Sequence, residues 1–198
     1  MKRLIPALAL SFALAACVDT TGLSAELSRG PHPKTNADST IVVTEFADLQ
    51  CPACMAAHTQ IVKPLIEKYG TRIRFDFVHH PLRSLHRFAL DAAEASECAA
   101  DENKFWEFEE LAFTNQPQMS KETIREWAQS LGLDMEKFDR CTQSHIKKKA
   151  ILAEYETGRT AGVTGTPTFF VNGQKVNSSL EEISKAIDGT QATAKPKL

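Results

Sequence analysis

The chain has 198 residues, 42% of them hydrophobic and 24% charged, with a formal net charge of −2. That length accommodates one domain with an ample core. The near balance of charge excludes the strong basic excess of a nucleic-acid binder, and no basic cluster points to anionic lipid.

Taken in chain order, the first residues read MKRLIPALALSFALAACVDTTG. Lys2 and Arg3 precede an apolar run from Leu4 to Ala16, too short to span a bilayer but suited to the core of an export signal. Leu14-Ala15-Ala16-Cys17 resembles the lipobox of bacterial lipoproteins, in which the chain is cut before a cysteine whose thiol is lipidated. That resemblance implies a signal peptide over residues 1–16, a lipid anchor at Cys17 and a place in the cell envelope, facing the periplasm or the extracellular side. An ordinary cleaved signal, with Cys17 incidental, is the alternative. Asp19 stands third rather than second after the cut, so the usual inner-membrane retention signal is absent. Losing Lys2 and Arg3 leaves the remainder at about −4. An exported chain meets oxidising conditions, and Cys51, Cys54, Cys98 and Cys141 permit two disulfides without fixing the pairing.

Residues 17–39 are polar and broken by Gly30, Pro31 and Pro33, which predicts a flexible tether before a folded domain over 40–189. Ile41–Phe46 is a β-branched run suited to a strand covered on both faces. Cys51 to Tyr69 reads as a helix opening at the cysteine pair, bent at Pro64 and stopped at Gly70. In RIRFDFV, Ile73, Phe75 and Phe77 alternate with Arg72, Arg74 and Asp76, the pattern of an edge strand with one wetter face. Strand, helix, strand in this order implies a right-handed parallel βαβ unit.

Residues from about 84 to 160 read as helices only, with Ser120 and Asp134 as N-caps. Phe105 and Trp106 belong to an apolar stripe and read as core. Asn172-Gly173 supplies the positive-φ pair of a type I′ hairpin turn, followed by a helix near Leu180–Ile187. The tail over 190–198 reads as disordered.

The order β-α-β, helical block, β-β-α, together with TEFADLQCPAC, ECAADENKFWEFEELAF and GVTGTPTFFVNG, resembles the DsbA-like branch of the thioredoxin superfamily. The resemblance covers about Ile41 to Asp188 and implies an α/β thioredoxin fold, a central mixed sheet with an inserted all-helical subdomain. It also implies a thiol–disulfide oxidoreductase acting through Cys51 and Cys54.

The chemistry of the pair agrees. A sulfur at the first turn of a helix meets the positive end of the macrodipole and unpaired N–H groups, which favour the nucleophilic thiolate. Cys51 is therefore the attacking thiol, and Cys54, one turn on, resolves the mixed disulfide. A structural clasp would close too small a loop to stabilise much. A zinc ribbon needs a second CxxC, and a copper carrier has no use for the GTPT loop.

By the resemblance, Pro167 is a cis-proline beside the cysteines and Thr166 offers backbone groups to an extended substrate. Glu45 interrupts an apolar strand where thioredoxin-like proteins keep a buried acid, and would exchange a proton with Cys54. In an exported chain Cys98 and Cys141 are expected as a structural disulfide, two buried free thiols being the alternative. His58 reads as an ordinary helix residue, and His79, His80 and His86 are not taken for a metal site.

No metal and no cofactor are expected. Familiar DsbA oxidases carry histidine between the cysteines; Pro52-Ala53 here predicts a milder oxidant. Disulfide donation to exported proteins is favoured, and a membrane redox partner, DsbB-like or reductive, is expected. A thiol reductant, an electron relay or a non-catalytic tethered binding module remain open. The short tether leaves no room for the dimerisation domain of the isomerase branch, so a monomer is expected.

Overall fold

The computed structural model describes residues 18–27 and 32–193. The leader over 1–16 and Cys17 lie outside the described residues. A mixed sheet of order β1-β3-β2-β4-β5 forms the centre. It is built from β1 (Pro33–Thr35), β2 (Val42–Ala47), β3 (Arg74–His79), β4 (Thr168–Val171) and β5 (Gln174–Val176). Strands β2 and β3 are parallel, and β1, β4 and β5 join antiparallel.

The parallel pair is linked by α1 (Pro52–Ala57), a π-helical turn (His58–Val62) and α2 (Lys63–Tyr69). The inserted helices are α3 (Ala89–Ala100), α4 (Phe105–Thr114), α5 (Lys121–Ser130), α6 (Met135–Ser144) and α7 (Lys148–Thr160), and α8 (Leu180–Thr193) closes the fold. This is the order that the resemblance implies.

Side-chain alternation gives the sheet two buried faces. On one, Val43, Phe75, Phe169 and Val171 pack with Leu65, Tyr69, Ile183 and Ile187 from α2 and α8. Phe77 continues that face into the helical block, where Phe105, Phe108 and Phe113 of α4 share one buried cluster with Cys51 and Cys54. On the other, Phe46, Val78 and Phe170 cluster with Val163. Gly158 of α7 lies so close to that face that a β-carbon there would stand 2.7 Å from His80 Nδ1 and 2.9 Å from Phe46 Cδ1.

The structure corrects the sequence reading in several places. The segment taken as a flexible tether is docked along much of its described length. Pro33–Thr35 pairs with Arg74–Asp76 of β3, and Leu23 packs on the core. Arg140 donates to the Thr21 carbonyl at 3.2 Å, and the buried Lys147 donates to the Glu26 carbonyl at 2.7 Å. His32, stacked on Phe105 at 3.7 Å, places Nε2 2.5 Å from Glu97 Oε1.

Strand β3 is therefore not an edge, and its wetter face is covered. Asp76 is buried and accepts from Arg74 Nε at 2.7 Å. Helix α8 continues through Thr193, so the segment read as a tail from 190 begins as helix. At Pro64, where a bend is expected, the helix carries a widened turn. Proline clashes with the carbonyl four residues back, and a π turn over His58–Val62 gives it space before α2 starts. Ser120 and Asp134 cap α5 and α6, the first as part of a capping box. The turn residues Asn172 and Gly173 hold φ of 46° and 78°.

Candidate active site

Cys51 occupies the N-cap of α1 in an extended conformation (φ −78°, ψ 120°), with Pro52 in the first turn where its missing N–H costs nothing. Its carbonyl accepts from the N–H groups of Cys54 and Met55 at 3.0 and 3.1 Å. The preceding loop is held from several sides. Asp48 accepts from Gln50 N and Leu82 N, both at 2.8 Å, and lies 2.7 Å from His86 Nδ1. Gln116 donates to the carbonyls of Leu49 and Cys51 at 2.9 and 3.1 Å.

Both thiols are free and buried, Cys51 6% exposed and Cys54 not at all. Access to Cys51 is thus narrower than its place at a helix start suggested, and Pro52 and Ala53 form the exposed tip. The Cys51 thiol lies 3.4 Å from the Thr166 carbonyl, and the Thr166–Pro167 peptide is cis.

The two sulfurs are driven apart in acidity. Donation by the Cys54 thiol lowers Cys51 to about 5 against the opposing effect of burial. The Thr166 side chain and the N–H groups of Ala53 and Cys54 add to the lowering. The Thr166 hydroxyl is buried with no hydrogen-bond partner among the described residues, so it is free to donate to a thiolate. Burial pushes the Cys54 thiol well up, and the Cys51 and Glu45 charges push the same way.

Glu45 sits on β2 opposite Phe77 and Phe169, fully buried, with Oε1 unpartnered among the described residues. Burial, then the charge of Glu109, raises its pKa well above the usual carboxylate range.

Glu109 was missed in the sequence. It lies four residues from both Phe105 and Phe113, but Glu107 and Glu110 stand beside it, and spacing alone does not single out the one that packs inward. His58, expected as an ordinary helix residue, is buried on the π turn between Glu109 and Glu110 of α4. Burial alone would lower its pKa, but contacts with Glu109 and Glu110 outweigh this and raise it.

The remaining histidines point to separate environments. His79 Nε2 lies 3.0 Å from Glu97, His80 stacks on Tyr155 at 4.4 Å, and His86 faces Asp48. Cys98 and Cys141 are joined by a disulfide, S–S 2.01 Å, that links α3 to α6.

Residues 33–189 match the family model described as Thioredoxin. The chain belongs to the thioredoxin family. Among solved structures, this thioredoxin-family chain superposes on BdbD of Bacillus subtilis (oxidised) with a TM-score of 0.71 at 22% identity, covering 79% of this chain and 90% of that one. A thioredoxin-like oxidoreductase of Silicibacter pomeroyi gives 0.71 at 23% identity over 85% and 97%. The thiol-disulfide exchange protein α-DsbA2 of Wolbachia pipientis gives 0.70 at 24% over 80% and 86%. These establish a DsbA-like fold.

Curated relatives include Na(+)/H(+) antiporter NhaA 3 of Salinispora tropica, 30% identical over 166 residues, 83% of this chain and 25% of that protein. NhaA 1 of Salinispora arenicola is 32% identical over 158 residues, 79% and 24% respectively. The thioredoxin-family chain thus spans about a quarter of the length of these relatives. Among the described residues no helix is long and apolar enough to cross a membrane.

Proposed function

We propose that the protein is a thiol–disulfide oxidoreductase of exported proteins, working through Cys51 and Cys54 and donating disulfides by exchange. The observation that carries this reading is the acidity gap between neighbouring sulfurs: Cys51 lowered to about 5, Cys54 raised well above its ordinary value. A leaving group of low pKa departs fast and a thiolate attacks, so such a pair suits exchange better than storage.

In the oxidising direction a substrate thiolate attacks Cys51 Sγ, and the Cys51–Cys54 bond breaks with Cys54 leaving as thiolate. Cys54 takes a proton, for which protonated Glu45 is the buried source. A second substrate thiolate then attacks the substrate sulfur of the mixed disulfide and expels Cys51 as its stabilised thiolate. The substrate loses two electrons and the pair gains them. A DsbB-like membrane partner takes those two electrons and restores the disulfide; a reductive partner would serve the opposite direction.

The loop at Thr166 and Pro167 would hold an extended substrate segment against Cys51 by backbone hydrogen bonding. Cys98–Cys141 serves stability, and Cys17 carries the lipid anchor that keeps the domain in the cell envelope.

The test is a Cys54→Ser variant expressed with its leader, whose Cys51 should accumulate mixed disulfides with exported proteins. An empty trap, with the variant exported and folded, contradicts the reading. The reduction potential of the pair then separates donor from reductant. A value in the range of disulfide-donating catalysts supports donation, and one near that of thioredoxin supports a reductant.

A further inference from the structure

Glu109 is the least explained group in the core. It is 0% exposed, and neither carboxyl oxygen accepts a hydrogen bond among the described residues. Leaving a buried acid unsatisfied is costly, and an apolar residue at the same place in the stripe of α4 would pack without that cost.

Its neighbours form a line to the surface. His58 Nδ1 stands 3.2 Å from Glu109 Oε1, within ion-pair distance but off the axis of a hydrogen bond. The opposite ring nitrogen, Nε2, is 2.9 Å from Glu110 Oε2. Glu110 Oε1 in turn accepts from Lys63 Nζ at 2.6 Å, and both of these side chains are about half exposed. The imidazole therefore faces a carboxyl on each side, one sealed and one wet.

The backbone there is irregular for the same region. His58 opens the π turn that interrupts the cysteine helix, and it lines an open depression of about 450 Å³ together with Met55, Thr59, Lys63 and Phe113. Such turns are frequent at functional positions. At the inner end, the Glu109 charge reaches Glu45, and the Glu45 charge reaches Cys54.

We propose that Glu109 and His58 are positioning residues of a proton path that joins Cys54 and Glu45 to solvent at Glu110 and Lys63. The inference rests on the exchange reading of the Cys51–Cys54 pair. When the pair closes, the Cys54 thiol gives its proton to the Glu45 carboxylate, and its sulfur attacks Cys51 Sγ while the outside thiolate leaves. The proton passes from Glu45 to Glu109 and on to His58 Nδ1, while Nε2 releases one to Glu110. When the pair opens, each transfer runs in reverse and the Cys54 thiolate is quenched. The charged groups facing His58 are Glu109 and Glu110 from α4, with Lys63 of α2 beyond Glu110.

The experiment follows the reduced protein mixed with a small disulfide such as oxidised glutathione, resolving two steps by stopped flow. The first is attack by Cys51, and the second is closure by Cys54. Glu109→Gln keeps the shape of the side chain, and His58→Gln is the independent second variant. Both should leave the first step and its pH profile unchanged, slow the second by about tenfold near neutral pH and displace its pH profile. Imidazole buffer entering through the depression should restore part of the lost rate. Closure at the wild-type rate and pH profile in both variants overturns the path. So does a slowing that is equal at every pH and indifferent to imidazole, the mark of a structural role. If wild-type Cys51 shows no first step at all, the exchange reading fails and the path with it.

Discussion

The acidity of Cys51 is set by a few atoms around it. Its sulfur sits where the Cys54 thiol, the Thr166 hydroxyl and two α1 N–H groups converge, and the thiolate gains from each. The Thr166 hydroxyl has no competing partner among the described residues. Replacing it with the isosteric Thr166→Val should therefore raise the Cys51 pKa by about one unit, read from the pH dependence of alkylation, while the fold is retained. An unmoved midpoint would show that the backbone and Cys54 do all the work.

No histidine stands between the cysteines, yet the Cys51 pKa still lies far below that of an ordinary thiol. Stabilisation reaches the sulfur from outside the motif as well, through Thr166. Thr166 is far along the chain, and only folding brings it there.

At the scale of elements, the sequence was legible wherever a period or a turn signal ran long enough. Strand β2, the helix opening at Cys51, the Asn172-Gly173 hairpin and the caps at Ser120 and Asp134 all carried such signals. Strand β1 did not. It is three residues long, opens on Pro33 and contains Thr35 at φ 77°, so no alternation could build up. What holds it is distant: the ladder to β3 and the buried contact of His32 with Glu97 on α3.

That contact makes a prediction for the element. Removing the ring in His32→Ala leaves Glu97 buried with less compensation and should cost about 3 kcal/mol in denaturant unfolding at neutral pH. Glu97 is held down at about 2: burial opposes, and hydrogen bonds from His32 and His79 overcome it. Its lowered pKa means that this stability is present above the usual carboxylate range and is lost as pH falls towards about 2.

The sign reverses at the packing of α7 on β3. Glu154 is raised to about 7, chiefly by burial, and accepts from the His79 N–H at 2.8 Å. Its contribution is complete below the ordinary value of 4.5 and fades as pH climbs to about 7. Glu154→Gln should flatten the unfolding free energy across that window, and a slope equal to wild type would contradict the assignment.

For the whole molecule, one sheet supports two different jobs. Its α2–α8 side and the helical block hold most of the core, and the cysteine pair sits where β2 ends and the block begins. The disulfide joining α3 to α6 is remote in sequence from that pair and closes a loop of 43 residues. Replacing both partners, Cys98→Ala with Cys141→Ala, should lower stability by about 4 kcal/mol in chemical denaturation, with the rate of attack by Cys51 unchanged.

The overall architecture could be anticipated because patterning and turn chemistry pointed the same way along most of the chain. The proton environment of the site could not. Glu45 betrayed itself as an acid in an apolar strand, but Glu109 stands among Glu107 and Glu110, and only the packed stripe shows which of them faces inward.

The central claim is that Cys51 is ionised and reachable in the folded protein. Its most direct test is the rate of alkylation of the reduced, folded protein as a function of pH, with the modified residue identified by mass. The account predicts that Cys51 reacts first, with a midpoint at about 5. A midpoint near the ordinary thiol value of 9.0, or no modification of Cys51 until the protein unfolds, would contradict it.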